Sequence, residues 1–413
     1  MPIFRPFKAF RPTPELAKQI AALPYDVMNS EEARIEVAKN PLSYLHVGKP
    51  EVDLDPEISV YDKSVYEKGR DNLQNYIVKN QIVQDEKESM YIYAQTMDGR
   101  TQYGFVGCAS VEDYDNNKIK KHEFTRPVKE EDRCNHLRVT NAHCGPIFLT
   151  FRDDEEINNK IKEIISNQPD NDHVADDGIR HQTWVISSDT LINYLQEAFS
   201  KINSFYVADG HHRSAAAAIV GGEKRESNPD HNGTEEYNFF LAVLFPASQL
   251  YIMDYNRVVK DLNGNSLEEF FDCIKSNFTI TEVNFKYTPE NKGDYGLYIE
   301  KKWYKLSANQ ELIINPDPVE KLDVAILQKY ILDEVLGIED PRTSNRIDFV
   351  GGIRGLEELE RRVDSGEMKL AISMYPTSID ELMDIADSGQ VMPPKSTWFE
   401  PKLRDGLFTH FLD

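Results

Sequence analysis

Cysteine is scarce in this chain. Four cysteines among 413 residues cannot cross-link so long a polypeptide, which excludes a disulfide scaffold and points to a reducing compartment. Long apolar runs are missing too. The longest, Phe239 to Pro246, falls far short of the roughly 20 residues that cross a bilayer. The opening MPIFRPFKAFRPTP breaks with prolines and charge the apolar stretch that a signal peptide needs. A cytoplasmic chain with no membrane partner is therefore expected. Positive charge is in the minority: 47 basic residues against 70 acidic ones give a net −23. A field of that sign repels nucleic acid and anionic lipid, so no nucleic-acid partner is expected, although a local basic pocket is compatible with it. There is no internal repeat and no low-complexity segment.

The length suits two or three domains, and 40% hydrophobic with 10% aromatic residues is the composition of a folded protein. Ser30-Glu31-Glu32 reads as a helix start, a hydroxyl cap followed by acids that the helix dipole favours. Residues 60–80 have helical periodicity, with Val65, Leu73, Tyr76 and Ile77 on one side. Strands at Met90–Thr96 and Thr101–Ala109 flank the turn signal Asp98-Gly99. The polar stretch from Asp113 to Arg138 reads as a long surface excursion. Beyond it the pattern gives a strand at Gly145–Phe151, a helix near 155–166, a strand at Thr183–Ser187, a helix from Asp189 to Lys201 and a strand at Phe205–Ala208. Residues 223–237 read as a mobile lid or an ordinary loop, followed by core strands at Tyr237–Phe245 and Gln249–Met253. Asn-Gly-Asn near 262–266 suggests a boundary, which divides the chain into 1–263 and 264–413. The second part holds a hairpin around Lys301-Lys302, a helix from Glu320 to Leu336, a strand at Lys369–Met374, a helix at 378–387 and a Pro-rich tail.

The sharpest local feature is FYVADGHHRSAAAAIVGG. An apolar strand ends at Asp209-Gly210 and a helix starts within two residues, running through four alanines to a glycine stop. Such a unit points the first helical amides out of the helix end, and Gly210 removes the side chain where an anion must approach. His211, His212 and Arg213 add donor or cationic groups in the first turn. A helix N-terminus stabilises an anion by about 0.3–1 kcal/mol, up to about 2 when partly buried. Each charge-assisted bond from arginine adds about 1.5–3 kcal/mol. An arginine at a helix start is unfavourable unless it faces an anion, so the motif suits phosphate. The competing reading is structural, with Asp209 capping the helix while the imidazoles and Arg213 pair with buried acids.

DGHHR followed by an alanine-rich helix resembles the motif of a widespread uncharacterised bacterial and archaeal family in the ParB/sulfiredoxin-like superfamily. Arg5-Pro6-Phe7, Pro24-Tyr25-Asp26-Val27, His122-Glu123-x-Thr125, Asp132-Arg133, Tyr255-Asn256-Arg257-Val258 and Met392-Pro393-Pro394-Lys395-Ser396-Thr397 match it in order. The resemblance implies an α+β fold, a ParB/sulfiredoxin-like core with a C-terminal α/β region. It also implies a nucleotide or phosphate at the loop, as in ParB-type nucleotide hydrolases, sulfiredoxins and kinases of free serine. Sulfiredoxins carry a catalytic cysteine where this chain has His211, and ParB proteins carry a helix-turn-helix and a basic surface that this acidic chain lacks. The kinase reading survives both departures.

Around the loop the resemblance gathers further candidates. Glu123 could take the proton of a bound hydroxyl, with Arg126 or Lys129 neutralising phosphate charge; in its plain reading the cluster is solvated surface. Asp26 sits in a stiff turn suited to Mg²⁺ ligation or a second base, or to a simple Asp-stabilised turn. Lys395 follows two prolines, presented to phosphate or to solvent; the segment is too short and glycine-poor for a Walker loop. Cys134-x-His136 with His143-Cys144 offers four zinc-type ligands at spacing unlike a finger or ribbon, and reduced, partly buried cysteines are the preferred reading, with no metal assigned to protein ligands alone. The expected function is a nucleotide-binding phosphotransferase (ATP or ADP with Mg²⁺) acting on a small hydroxyl metabolite such as free serine. His211, His212 and Arg213 would grip phosphates, Asp209 would cap the helix or hold Mg²⁺, and Glu123 would be the base. The alternatives are a non-catalytic nucleotide-dependent regulatory module and a phosphometabolite hydrolase.

Overall fold

The computed structural model describes residues 1–413 and has a mixed α+β architecture with several sheets. The chain forms two compact units, the first Met1–Lys121, Thr125–Leu250 and Pro401–Asp413, the second His122–Phe124 and Tyr251–Glu400. No helix is long and apolar enough to cross a membrane.

The first unit is built on a nine-stranded mixed sheet. Its strands in chain order are β1 (Phe4–Arg5), β2 (Met90–Met97), β3 (Arg100–Ser110), β4 (Ile119–Lys120), β5 (Ile147–Phe151), β6 (Asn171–Val174), β7 (Arg180–Ile186), β8 (Phe205–Asp209) and β9 (Phe239–Pro246). They lie in the order β4-β8-β5-β9-β3-β2-β7-β6, with β1 beside β3. The β2–β3 hairpin turns through Asp98 and Gly99, both at positive φ, as the sequence signal requires. β9 is buried along its whole length, which fits an apolar run placed between β5 and β3. Phe105, Leu149, Phe151, Phe199, Phe205 and Leu244 are among the residues of the core formed on this sheet.

Four helices of this unit matter for the site: α1 (Ser30–Lys39), α2 (Lys63–Val78), α3 (Pro127–Thr140) and α4 (His211–Ser227). α1 starts one residue earlier in its cap than the sequence suggests. Asn29 and Glu32 form a reciprocal capping box. α3 overturns the surface excursion expected between Asp113 and Arg138. Pro127 occupies its first turn, where a missing N–H costs nothing, and Asp132, Cys134, His136 and Leu137 are buried. The glycines at 221 and 222 do not stop α4, which runs on to Ser227. Gly221 is there for close packing, since a Cβ on it would stand 2.7 Å from the carbonyl oxygen of Tyr237.

The second unit has a six-stranded sheet of β10 (Tyr255–Val259), β11 (Phe278–Val283), β12 (Asp294–Ile299), β13 (Lys302–Ala308), β14 (Ile347–Gly351) and β15 (Leu370–Met374). The order is β11-β13-β12-β15-β10-β14, antiparallel throughout. The second unit's main segment thus begins at residue 251, ahead of the boundary expected at 263. The reason is that β10 pairs inside this sheet, while Asn263 and Gly264, both at positive φ, form a turn within the unit. The helix expected from Glu320 to Leu336 is α-helical over Asp323–Leu327 and continues as a π-helical stretch over Gln328–Asp333.

Candidate functional site

β8 and α4 are joined by Gly210 alone, with φ at +96°, a conformation that glycine enters without steric cost. The pairing of β8 with β5 shifts register between Val207 and Asp209, a bulge that re-aims the chain as it leaves the sheet. No side chain caps α4. Asp209 instead accepts the amide of Gly210 at 2.7 Å and the ammonium of Lys402 at 2.8 Å. Against the burial that opposes ionisation, Lys402 holds the Asp209 carboxyl down at about 2, so the loop carries a fixed carboxylate neutralised by a lysine from the C-terminal segment.

The three side chains expected to grip phosphate behave differently. Burial pushes the His211 imidazole down to about 4, leaving it neutral. His212 accepts the backbone amide of Arg126 at Nε2, 3.0 Å away; a ring accepting there carries its proton on Nδ1 and is uncharged. Arg213 turns into the first unit. Its two terminal nitrogens meet Asp405 Oδ1 at 3.0 Å and Oδ2 at 2.8 Å, and Nη1 also donates to the carbonyl of Pro146 at 3.2 Å. A Cβ at Gly145 would collide with both partners of this pair. Arg213, expected to grip phosphate, is thus paired in the fold with a carboxylate of the chain itself.

Arg213 lies close to the turn that carries Asp26. Its guanidinium carbon is 5.5 Å from the ring of Tyr25, and that of Arg133 is 3.8 Å from the same ring. Arg133 in turn is paired with Asp132 at 2.9 Å, which also accepts the hydroxyl of Tyr66 at 3.1 Å. Beside this stack is a cavity of about 300 Å³, lined among others by Asp26, Lys49, Glu51, Tyr61, Lys129 and Arg133. A smaller chamber of about 40 Å³ shares Gly48, Arg133 and His136 with it and reaches Arg213 and Asp405. Most of the charges on the cavity are paired: Lys49 with Glu51 at 2.9 Å and Arg133 with Asp132. Asp26 is exposed and, like Lys129, makes no ion pair.

The first unit thus brings Asp26, Arg133, Arg213 and the 209–213 loop together, and adds Lys402 and Asp405. Arg126 contributes its backbone, as the N-cap of α3, while its side chain is exposed. Glu123 and Lys395 belong to the second unit. There the carbonyl of His122 accepts the amide of Met392 at 2.8 Å, which ties the segment before Glu123 to the Pro-rich turn. Lys395 has φ at +61°, and its carbonyl accepts Arg257 at 3.0 Å. Arg257 is buried and donates to the carbonyls of Tyr255 and Lys395, and burial pushes its guanidinium down to about 10.

Cys134, His136, His143 and Cys144 do not assemble as a metal site. Cys134 packs with Ala216, Val220 and Leu412, whereas Cys144 lies in a different cluster with Tyr44 and Leu45. His136 bonds the carbonyl of Val47 at 2.8 Å, and His143 stacks on His410.

Lys402 and Asp405 do not stand out as site residues in the sequence. The available signal was three charges, Lys402, Arg404 and Asp405, in a segment that otherwise reads as apolar, because buried charges need partners.

No protein of curated function matches the chain. Among solved structures, free serine kinase in complex with AMP is 14% identical with a TM-score of 0.38, covering 72% of this chain and 89% of that one. A conserved hypothetical protein from Pyrococcus furiosus is 15% identical with a TM-score of 0.35, covering 70% and 90%. C-terminally truncated SbnI from Staphylococcus aureus is 10% identical with a TM-score of 0.40, covering 73% and 85%. The model of one family, described as a protein of unknown function, DUF1015, matches residues 4–325. By that match, over most of its length, the chain belongs to the DUF1015 family.

Proposed function

We propose that this protein is a nucleotide-binding phosphotransferase acting on a small hydroxyl metabolite, with free serine the first acceptor to test. The observation that carries the reading is a strand–glycine–helix turn with no side-chain cap and Lys402 beside it, near a polar cavity that holds Asp26. The start of α4 favours an anion by about 0.3–1 kcal/mol, more when partly buried. Lys402 sets an ammonium beside the turn, matched in charge by Asp209, so the amides at the start of α4 supply the rest of the attraction. In the cavity, Asp26 and Lys129 are an acid and a base without ion pairs, a combination suited to a small metabolite that carries an ammonium or hydroxyl together with a carboxylate.

The transfer breaks the bond from the terminal phosphorus to its bridging oxygen, forms a bond to the acceptor oxygen and passes the hydroxyl proton to a carboxylate. A magnesium ion bound with the nucleotide would neutralise phosphate charge. Asp26 fits as its protein ligand better than Asp209, whose two oxygens already accept Gly210 and Lys402. Asp26 therefore either holds the ion or takes the hydroxyl proton.

The test measures binding of ATP and ADP with and without Mg²⁺, and phosphate transfer to serine and related hydroxyl compounds. Removing the base by Asp26→Asn should lower turnover about 10²–10⁴-fold and leave nucleotide affinity intact. Asp26→Asn should instead shift the Mg²⁺ dependence if Asp26 is the ligand. A regulatory module without turnover is the second reading, favoured by the engagement of Arg213 with Asp405 inside the fold. Nucleotide binding with no phosphorylated product from any acceptor would decide for it.

A further inference from the structure

The six-stranded sheet of the second unit ends on β11, which is hydrogen-bonded to β13 along one side only. An open strand edge presents a row of free N–H and C=O groups, and folded chains blunt such edges by short length, lysine or proline, a bulge or a cover. The other end strands of the two large sheets are shorter: β4 has two residues, β6 four and β14 five. β14 is also covered at one end, where a Cβ on Gly351 would stand 2.7 Å from the Trp398 ring. β11 has six residues, Phe-Thr-Ile-Thr-Glu-Val, with neither lysine nor proline among them. Its pairing with β13 runs from Phe278–Ala308 to Val283–Trp303 without a shift of register, so no bulge turns the edge away.

The side chains of β11 suit another strand. Thr279, Thr281 and Glu282 are exposed, and Ile280 and Val283 are half-buried, so the edge is rich in the β-branched residues that pack well on a pleated surface. Phe285, two residues past the strand, is 58% exposed. The charge balance points to a second copy of the chain. At a net charge of −23 two copies repel each other over most of their surface, and a self-contact needs a segment where acids are few and neutralised. β11 carries one acid, Glu282, and Lys302 of β13 pairs with it at 2.9 Å.

We propose that β11 is a self-association edge, on which β11 of a second copy pairs antiparallel and continues the sheet across a two-fold axis. Such a contact uses the same patch on both copies, and the pleat allows only registers that keep opposed side chains on one face. With Thr281 on the axis, Thr281 meets itself, Thr279 meets Val283 and Ile280 meets Glu282. With Ile280 on the axis, Ile280 meets itself, Thr279 meets Thr281 and Phe278 meets Glu282. Both registers oppose β-branched residues to one another, and neither sets Glu282 against its own copy, which would be destabilising. One strand pair with Phe285 beside it is a small interface, so the association is reversible and concentration-dependent. It stands whether or not phosphotransfer is found.

The mass of the full chain would be followed by sedimentation from about 1 μM to about 1 mM, the span in which weak complexes dissociate. The expected result is a rise from one chain towards two, with amide exchange in β11 slower at the high end. Thr279→Lys with Thr281→Lys sets like charges across the axis in either register and should hold the mass at one chain. Thr279→Glu with Thr281→Glu should do the same, and because both positions are exposed the melts should stay that of the parent. Mixing the lysine and glutamate forms should restore the mass of two chains, since lysine then faces glutamate across the axis. A parent chain that stays monomeric throughout would overturn the proposal and leave the edge to a different occupant. A dimer that survives both lysines, or a mixture that stays monomeric, would overturn it as well. Exchange in β11 that is equal at both ends of the range would do so whether or not the variants fold.

Discussion

Asp405→Ala separates two roles for Arg213, a bolt within the first unit or a grip for phosphate. The side chains of Arg213 and Asp405 are only 16% and 5% exposed, and the two are joined by a bidentate contact. Removing one member of such a pair strands the other charge in a low dielectric, at a cost of about 3–5 kcal/mol. Arg213 would keep the Pro146 carbonyl at 3.2 Å and the Tyr25 ring at 5.5 Å, which argues for the lower end, about 3 kcal/mol. A unit of this size loses about 2–4 °C per kcal/mol, so the melting temperature of the first unit should fall by about 6–12 °C in calorimetry. Arg213→Met in the Asp405→Ala background should recover part of the loss, because the stranded charge is gone. The double-mutant cycle should return a coupling of about 2 kcal/mol or more. Nucleotide affinity, measured at a temperature where the variant is folded, should not change. A stability loss below about 1 kcal/mol, or tighter nucleotide binding once Asp405 no longer occupies the guanidinium, would refute the bolt.

Two further outcomes follow from the charges of Lys402 and Asp323. Lys402→Met should weaken nucleotide binding about ten- to a hundredfold, the share of one charge-assisted contact; it also leaves the Asp209 carboxylate without its ammonium partner, so the melt should fall as well, and an unchanged affinity, measured by calorimetry where the variant is folded, would remove Lys402 from the site. In the second unit, burial pushes the Asp323 carboxyl up to about 7, although it accepts the Gly293 amide. A carboxyl raised above its unfolded value of about 3.9 destabilises the fold increasingly as pH rises from about 4 to about 7, by at most about 4 kcal/mol. Asp323→Asn should therefore match the parent near pH 4 and exceed it by pH 8 in denaturant melts, and a constant difference across that range would show that the group does not titrate as described.

The elements legible in the sequence are those whose determinants are local. Gly210 needs its positive φ whatever surrounds it, the four alanines favour helix by themselves, and Asp98-Gly99 closes a hairpin from its own chemistry. α3 was not legible because its charges alternate with buried Asp132, Cys134, His136 and Leu137, a pattern that reads as polar surface until packing is known, although Pro127 marked its start. The destination of Arg213 was illegible for a different reason. Its partner lies 192 residues away in sequence, and an arginine in a first helical turn asks for an anion without saying whether a ligand or the chain provides it. The C-terminal segment provides both signs, with Lys402 answering the acid of the loop and Asp405 answering its base. With those two charges neutralised within the fold, the positive end of α4 remains as the field at the turn. A phosphate bound there would be held by backbone dipole and by Lys402, so the specificity of the site rests with the cavity that carries Asp26 and Lys129.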